Sequence, residues 1–72
     1  MSAQQGIVRE WHEELGWGVI DAPTVPGGCW AHFSALEMPG YRVLSAGQRV
    51  TFVAEAGEQD GFAYRAVSVR PN

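Results

Sequence analysis

The chain has no lysine, a single cysteine and no uninterrupted apolar run longer than three residues. The lone Cys29 cannot form a disulfide within its own chain, and a paired-cysteine metal site is impossible. Apolar runs this short exclude a membrane-spanning helix, which needs about 20 mostly apolar residues. Residues 1–5 have neither a basic start nor an apolar stretch, so no secretory signal is expected. These absences predict a cytoplasmic protein with no membrane partner.

The length of the chain limits it to one domain. Its 72 residues can bury one small core, and they lie near the lower limit for folding without disulfides or metals. Hydrophobic residues make up 46% of the chain and charged residues 18%, which is typical of a globular protein and not of a disordered one. We therefore expect a single domain over residues 1–72, with its core in residues 6–69.

The balance of charge argues against one mode of nucleic-acid binding. Eight acidic residues outnumber five arginines, which gives a formal net charge of −3 at pH 7. A basic patch that attracts phosphate therefore cannot be the main source of affinity. The chain does contain three Trp, three Phe and two Tyr, and stacking on bases requires ring faces but few charges. Any nucleic acid would thus be held mainly by rings.

Turn-forming residues divide the sequence into short segments. Nine Gly and four Pro interrupt it so often that no long helical period survives. The alternating segments that remain predict strands over residues 6–12, 15–20, 29–33, 49–53 and 62–69. Five short strands separated by turns predict an all-β protein, a five-stranded antiparallel barrel. Alternation places Val67 and Val69 of the last strand in the core.

The second and third predicted strands direct large side chains outward. Trp17 and Val19 share the outer face of one strand, and Trp30 and His32 share that of the other. Consecutive strands usually pair, so these residues should form one exposed patch. Exposing two Trp gives up stability, because burying a large aromatic side chain is worth about 1.5–3 kcal/mol, whereas stacking recovers about 1–3 kcal/mol per base. The patch predicts a stacking surface; packing under a loop or against a partner protein is the alternative.

Four segments of the chain form a recognisable pattern. Residues 6–9 read GIVR, residues 16–20 read GWGVI, residues 30–36 read WAHFSAL and residues 47–52 read GQRVTF. In this order and spacing, over roughly residues 6–69, the chain resembles the cold-shock domain family. The first ribonucleoprotein motif of that family reads KGFGFI and corresponds to residues 15–20, and the second reads VFVHF and corresponds to residues 29–33. The two motifs together make the resemblance specific.

The resemblance implies an OB-type five-stranded barrel that binds single-stranded RNA or DNA through the face that carries both motifs. It also implies a role as an RNA chaperone or as a modulator of transcription or translation, of the kind used in a stress response. Strict alternation would turn Phe33 inward, whereas the family uses the matching position for base contact. The family's binding positions correspond here to Arg9, Trp11, Trp17, Val19, Trp30, His32, Phe33 and Tyr41.

Three departures from the family pattern lie within this face. Glu10 stands where the family usually has a stacking tryptophan, Leu15 replaces a lysine, and Val19 replaces a phenylalanine. Each change removes a ring face or a phosphate partner, while three tryptophans in place of phenylalanines enlarge the ring surface that remains. Binding is therefore expected to persist but to be weaker or shifted in preference. The competing hypothesis is a protein-interaction module on the same barrel with reduced nucleic-acid binding.

Enzymatic chemistry finds no support in the sequence. No serine or cysteine has an evident base and orienting acid, and neither a nucleophile elbow nor a phosphate-binding loop of the Walker type occurs. Cys29 and His32 are three residues apart on a strand, so they face opposite sides and are not expected to bind a metal. We expect a monomeric binding domain with no cofactor and no small-molecule substrate, whose partner is single-stranded RNA or DNA.

Overall fold

Five strands of 4 to 11 residues close into a barrel. A computed structural model of the protein describes residues 3–40 and 43–72. The strands are β1 (Gln4–His12), β2 (Trp17–Asp21), β3 (Cys29–His32), β4 (Arg49–Gln59) and β5 (Phe62–Pro71), and a 3-10 helix (Phe33–Ala35) follows β3. Their order around the closed barrel is β1-β2-β3-β5-β4. The predicted all-β, five-stranded barrel is confirmed.

One strand pair departs from the antiparallel arrangement of the other four. β1–β2, β2–β3, β1–β4 and β4–β5 are antiparallel, but β3 and β5 are parallel, with Trp30 opposite Arg65. The reason is one of parity, because strands in a closed ring of five cannot alternate direction all the way round. The parallel pairing of β3 with β5 therefore places Arg65 beside β3, one of the two strands predicted to carry the stacking side chains.

The barrel interior is filled by small and medium apolar side chains. Phe52, Ile20 and Val8 are the largest fully buried side chains, and Cys29 lies among them. No helix within the described residues is long and apolar enough to cross a membrane. The core cluster consists of Val8, Ile20, Val25, Cys29, Ala31, Leu36, Leu44, Val50, Phe52 and Val69.

Two irregularities in strand pairing shift which side chains face the core. In β1, Val8 pairs with Ile20 and Glu10 pairs with Val19, so Arg9 is an extra residue at a bulge. In β5, Ser68 pairs with Val53 and Ala66 pairs with Ala54, so Val67 is the extra residue there. The prediction that Val67 is a core residue is wrong for this reason, since its side chain is 46% exposed.

Candidate nucleic-acid interface

Five ring side chains lie side by side on the outer face of β1, β2 and β3 and at the start of the 3-10 helix. Strand pairing positions them, because Trp17 lies opposite His12 on one side and His32 on the other. The ring centroids are 4.5 Å apart for His12 and Trp17, 6.3 Å for Trp17 and Trp30, 5.8 Å for Trp30 and His32, and 4.6 Å for His32 and Phe33. We call these residues the ring row: His12, Trp17, Trp30, His32 and Phe33.

The planes within the ring row are suited to bases that stack one after another. Trp17 and Trp30 are inclined by 26°, and Trp30 and His32 by 21°, so the three central rings are nearly parallel. Aromatic faces held in this way accept any base, because every base has a π-face. The prediction that Trp17, Trp30 and His32 are neighbours on one outer face is confirmed.

The outward position of Phe33 follows from the end of β3. The strand stops at His32, whose Nδ1 accepts a hydrogen bond from the Ser34 backbone N–H at 3.3 Å and lies 2.8 Å from Ser34 Oγ. The Phe33 N–H donates to the Gly16 carbonyl at 2.8 Å, and the Phe33 ring packs over Gly16, leaving the side chain 44% exposed. The strand period no longer applies within the 3-10 helix, so Phe33 joins the ring row.

Capping also orients the His32 ring. The Ser34 backbone N–H donates to His32 Nδ1, and this hydrogen bond fixes the orientation of the imidazole ring. The ring thus has a fixed edge toward the 3-10 helix and a free face in the ring row. His32 is held in place for stacking before any ligand arrives.

Val19 does not reach solvent, which corrects its prediction as an exposed contact. It lies on the outer face between Glu10 and Trp30 in the strand register, but it is 0% exposed. Gly28 packs directly against it, since a Cβ at Gly28 would lie 2.7 Å from Val19 Cγ1 and 2.8 Å from Arg9 Nη2. Val19 is therefore a support under the surface and offers nothing to a base.

Trp11 lies on the opposite side of the sheet from the ring row, which corrects its prediction as a contact. The bulge at Arg9 reverses the phase of β1, so that Trp11 pairs with Gly18, and a Cβ at Gly18 would collide with the indole. Trp11 is half-buried and packs against the core cluster. His12 takes the outward position instead, and counting back from Trp17 across the turn would have identified it.

Arg9 is on the outer face, as predicted, but it already has an anionic partner. Its Nε donates to Asp21 Oδ2 at 3.0 Å and its Nη2 to Asp21 Oδ1 at 2.6 Å, with a further bond to the Gly27 carbonyl at 3.2 Å. These hydrogen bonds hold the pKa of the Asp21 carboxyl below its ordinary value. A phosphate must therefore share or displace Asp21 to reach Arg9.

Arg65 shows the same arrangement at the other side of the ring row. It lies opposite Trp30 where β3 pairs with β5, and its Nε donates to Glu55 Oε2 at 2.6 Å.

Trp30 itself has a buried Nε1 with no acceptor among the described residues. The last predicted site residue, Tyr41, lies outside the described residues.

The geometry defines a class of protein, a small closed barrel that presents a row of ring faces on one side. Among the described residues, the arginines beside this row are paired with carboxylates, and Cys29 is buried. Ring faces of this kind are suited to stacking with flat, conjugated groups. Residues 4–70 match the family described as the 'Cold-shock' DNA-binding domain. The chain belongs to the cold-shock domain family, and nucleic-acid binding is the function that this membership supports.

Several curated relatives agree with this assignment. The chain is 36% identical over 64 residues to "Cold shock-like protein CspD" of Haemophilus influenzae, covering 89% of both chains. It is 36% identical over 70 residues to the protein of the same name from Vibrio cholerae, covering 97% of this chain and 88% of the relative. It is 38% identical over 56 residues to "Cold shock protein CapA" of Pseudomonas fragi, covering 78% and 88%.

Proposed function

We propose that this protein binds single-stranded RNA or DNA by stacking unpaired bases on the ring row. The observation that carries the proposal is the unbroken sequence of ring neighbours from His12 to Phe33 on one face. Duplex bases are stacked on one another and cannot offer their faces to these rings, so the surface selects unpaired strands. Arg9 would supply a phosphate contact beside the rings.

Tryptophan fluorescence tests this proposal directly. A short mixed-base oligonucleotide that cannot pair with itself should quench emission, because bases would lie against Trp17 and Trp30. Trp11→Phe is the matched control: it leaves both ring-row indoles, and its quenching should persist. The double variant Trp17→Phe/Trp30→Phe retains only the inward indole and should lose most of the signal. Quenching that survives in the double variant but disappears in Trp11→Phe would contradict the proposal.

The cellular role that we propose is that of an RNA chaperone acting on transcripts in the cytoplasm as a monomer. Binding only the open strand shifts the equilibrium away from base-paired forms by mass action, without any catalysis. A hairpin RNA with a dye and a quencher at its ends should open, and its fluorescence should rise, as protein is added in the absence of a nucleoside triphosphate. A hairpin that stays closed while the same protein binds its unpaired analogue would exclude this role, and with it a modulation of transcription or translation through RNA structure.

A second candidate is a protein-interaction module on the same barrel. The observation that favours it is the pairing of Arg9 with Asp21 and of Arg65 with Glu55, which leaves neither guanidinium without a carboxylate partner. Glu10 adds a further negative charge to the same face. Absence of quenching at low salt, with the protein shown to be folded, would favour this candidate over strand binding.

A further inference from the structure

Glu10 lies within the proposed binding face and has an unusual position for a carboxylate. The bulge at Arg9 turns it outward, opposite Val19, and Trp30 lies on the far side of Val19 in the register of the sheet. Its Oε1 lies 3.3 Å from His12 Nε2, and its side chain remains 43% exposed. His12 in turn packs against Trp17, so the carboxylate is held at the edge of the ring row.

The distance from Glu10 to Trp17 suits contact with the edge of a stacked base. Glu10 is the diagonal neighbour of Trp17 on the outer face, and such neighbours lie about 7–8 Å apart. A base stacked on the Trp17 indole would extend toward Glu10 by one of its edges. In an unpaired strand, the hydrogen-bonding edge normally used for pairing is free to make that contact.

A carboxylate can only accept hydrogen bonds, so it discriminates among bases by their donors. Guanine offers N1–H and the 2-amino group side by side, which matches the two oxygens of a carboxylate. Thymine and uracil offer a single N–H between two carbonyl oxygens, and both oxygens repel the carboxylate. Adenine and cytosine offer one amino group next to a ring nitrogen that is itself an acceptor. Guanine is the best partner on this chemistry.

We propose that Glu10 gives the ring row a preference for guanine over thymine or uracil at the base stacked on Trp17. The inference rests on the proposed function, since it concerns a base that the ring row holds. Glu10 acts here as a specificity determinant, and His12 positions its carboxylate. A carboxylate that only repelled phosphate would lower the affinity for every strand by the same factor, whereas this one changes the ratio between bases.

Three oligonucleotides of equal length isolate the base contribution, because they carry the same number of phosphates. One is all thymine, one alternates thymine with guanine, and one alternates thymine with hypoxanthine, which lacks only the 2-amino group. We expect the guanine strand to bind at least about fivefold more tightly than the thymine strand, the low end of discrimination by a bidentate base contact, with the hypoxanthine strand between them. The reverse order would overturn the inference.

Glu10→Gln removes the charge and keeps the shape, so it should bring the affinities for guanine and thymine strands to within about twofold of each other. Glu37→Gln is the matched control, because it changes the net charge equally but lies beside Thr51 and Ser68, away from the ring row. The control should keep the full guanine preference. An unchanged preference in Glu10→Gln, or an equal loss in both variants, would overturn the assignment to Glu10.

The outcomes separate this inference from the proposed function. If every strand quenches the tryptophan fluorescence and binds with equal affinity, the ring row binds bases and the guanine preference is wrong. If no strand binds the folded protein, both fail together. The comparison of guanine with hypoxanthine uses the native protein throughout, so it decides the question even if Glu10→Gln proves unstable.

Discussion

Single side chains decide which rings reach solvent. Gly16 leaves space for the Phe33 ring beside Trp17, and Gly18 leaves space for the Trp11 indole on the inner face. Gly28 packs against Val19 and Arg9, and Val19 lies opposite Trp30 in the strand register. Small residues therefore set the positions of the large ones, and the interface depends on both.

Trp30→Ala tests the contribution of one ring. We expect it to weaken binding of a short single strand by about 1–3 kcal/mol, because one base loses its stacking partner. The fold should remain, since Trp30 does not belong to the buried core cluster. Ile7→Ala, which removes an exposed apolar side chain outside the ring row, is the control and should leave the affinity unchanged. Unfolding of Trp30→Ala, measured by circular dichroism, would show that this tryptophan is a packing residue.

Cys29 provides a second test at this scale. Burial raises the pKa of its thiol from 9.0 to about 12, so the folded protein holds no reactive thiolate near neutral pH. A thiol reagent at pH 8 should label the unfolded chain rapidly and the native chain only as fast as it opens. Between about pH 9 and 12 the unfolded thiol ionises first, so the free energy of unfolding should fall as the pH rises. Immediate labelling of the native protein would contradict this burial.

At the scale of strands and turns, the β1–β2 pair carries the interface and is tightly packed behind it. A Cβ at Gly18 would collide with the Trp11 indole and with the Glu10 carbonyl, whereas one at Gly57 would meet only Arg65 Nε, at 3.7 Å. Gly18→Ala should therefore lower the free energy of unfolding by about 1–3 kcal/mol, and Gly57→Ala should change it little. Denaturant titration of the two variants measures the difference. Equal stabilities would contradict the close packing of β1 on β2.

The sequence correctly predicted which face of a strand each ring occupies wherever the strand period is regular. Trp17, Trp30 and His32 fall on one face by simple alternation, and the structure brings them together. The patterns failed where the period breaks, because a bulge adds one residue and reverses every later side chain. Val67 was placed in the core because alternation does not reveal the bulge there, and Trp11, which only the family resemblance gave as a contact, is turned toward the core by the bulge at Arg9. Neither bulge has a glycine or proline to mark it.

The position of Phe33 and the burial of Val19 could not be read from alternation for different reasons. Phe33 follows the last residue of β3, and the 3-10 helix that turns it outward depends on the His32 cap. Val19 does face outward as alternation predicts, yet Gly28, at the end of the loop that joins β2 to β3, packs over it. Local period gives the direction of a side chain, whereas its exposure depends on what the rest of the chain places over it.

At the scale of the whole molecule, the charge balance predicts weak salt dependence. The net charge is −3, and on the binding face Arg9 and Arg65 are paired with carboxylates. Neutralising one to three phosphates of a single strand gives a slope of log K against log salt of about −0.7 to −2. Affinities measured across a salt series determine this slope. A slope steeper than about −4 would mean that cations, and not rings, hold the strand.

Releasing Arg9 should increase that dependence in a measurable way. Asp21→Asn removes the carboxylate partner of Arg9, so the guanidinium can contact a phosphate, and the slope should steepen by about 0.7. Glu37→Gln changes the net charge by the same amount away from the ring row and should leave the slope unchanged. Equal slopes in the two variants would show that Arg9 does not contact the strand.

We propose that bases, stacked on the ring row, supply most of the free energy of binding. The most direct measurement compares a short single strand with an abasic strand of the same length, which keeps every sugar and phosphate and lacks the bases. We expect strong quenching and binding for the first strand and almost none for the abasic one at the same salt concentration. Comparable affinities for the two strands would contradict it, because the protein would then be recognising the backbone alone.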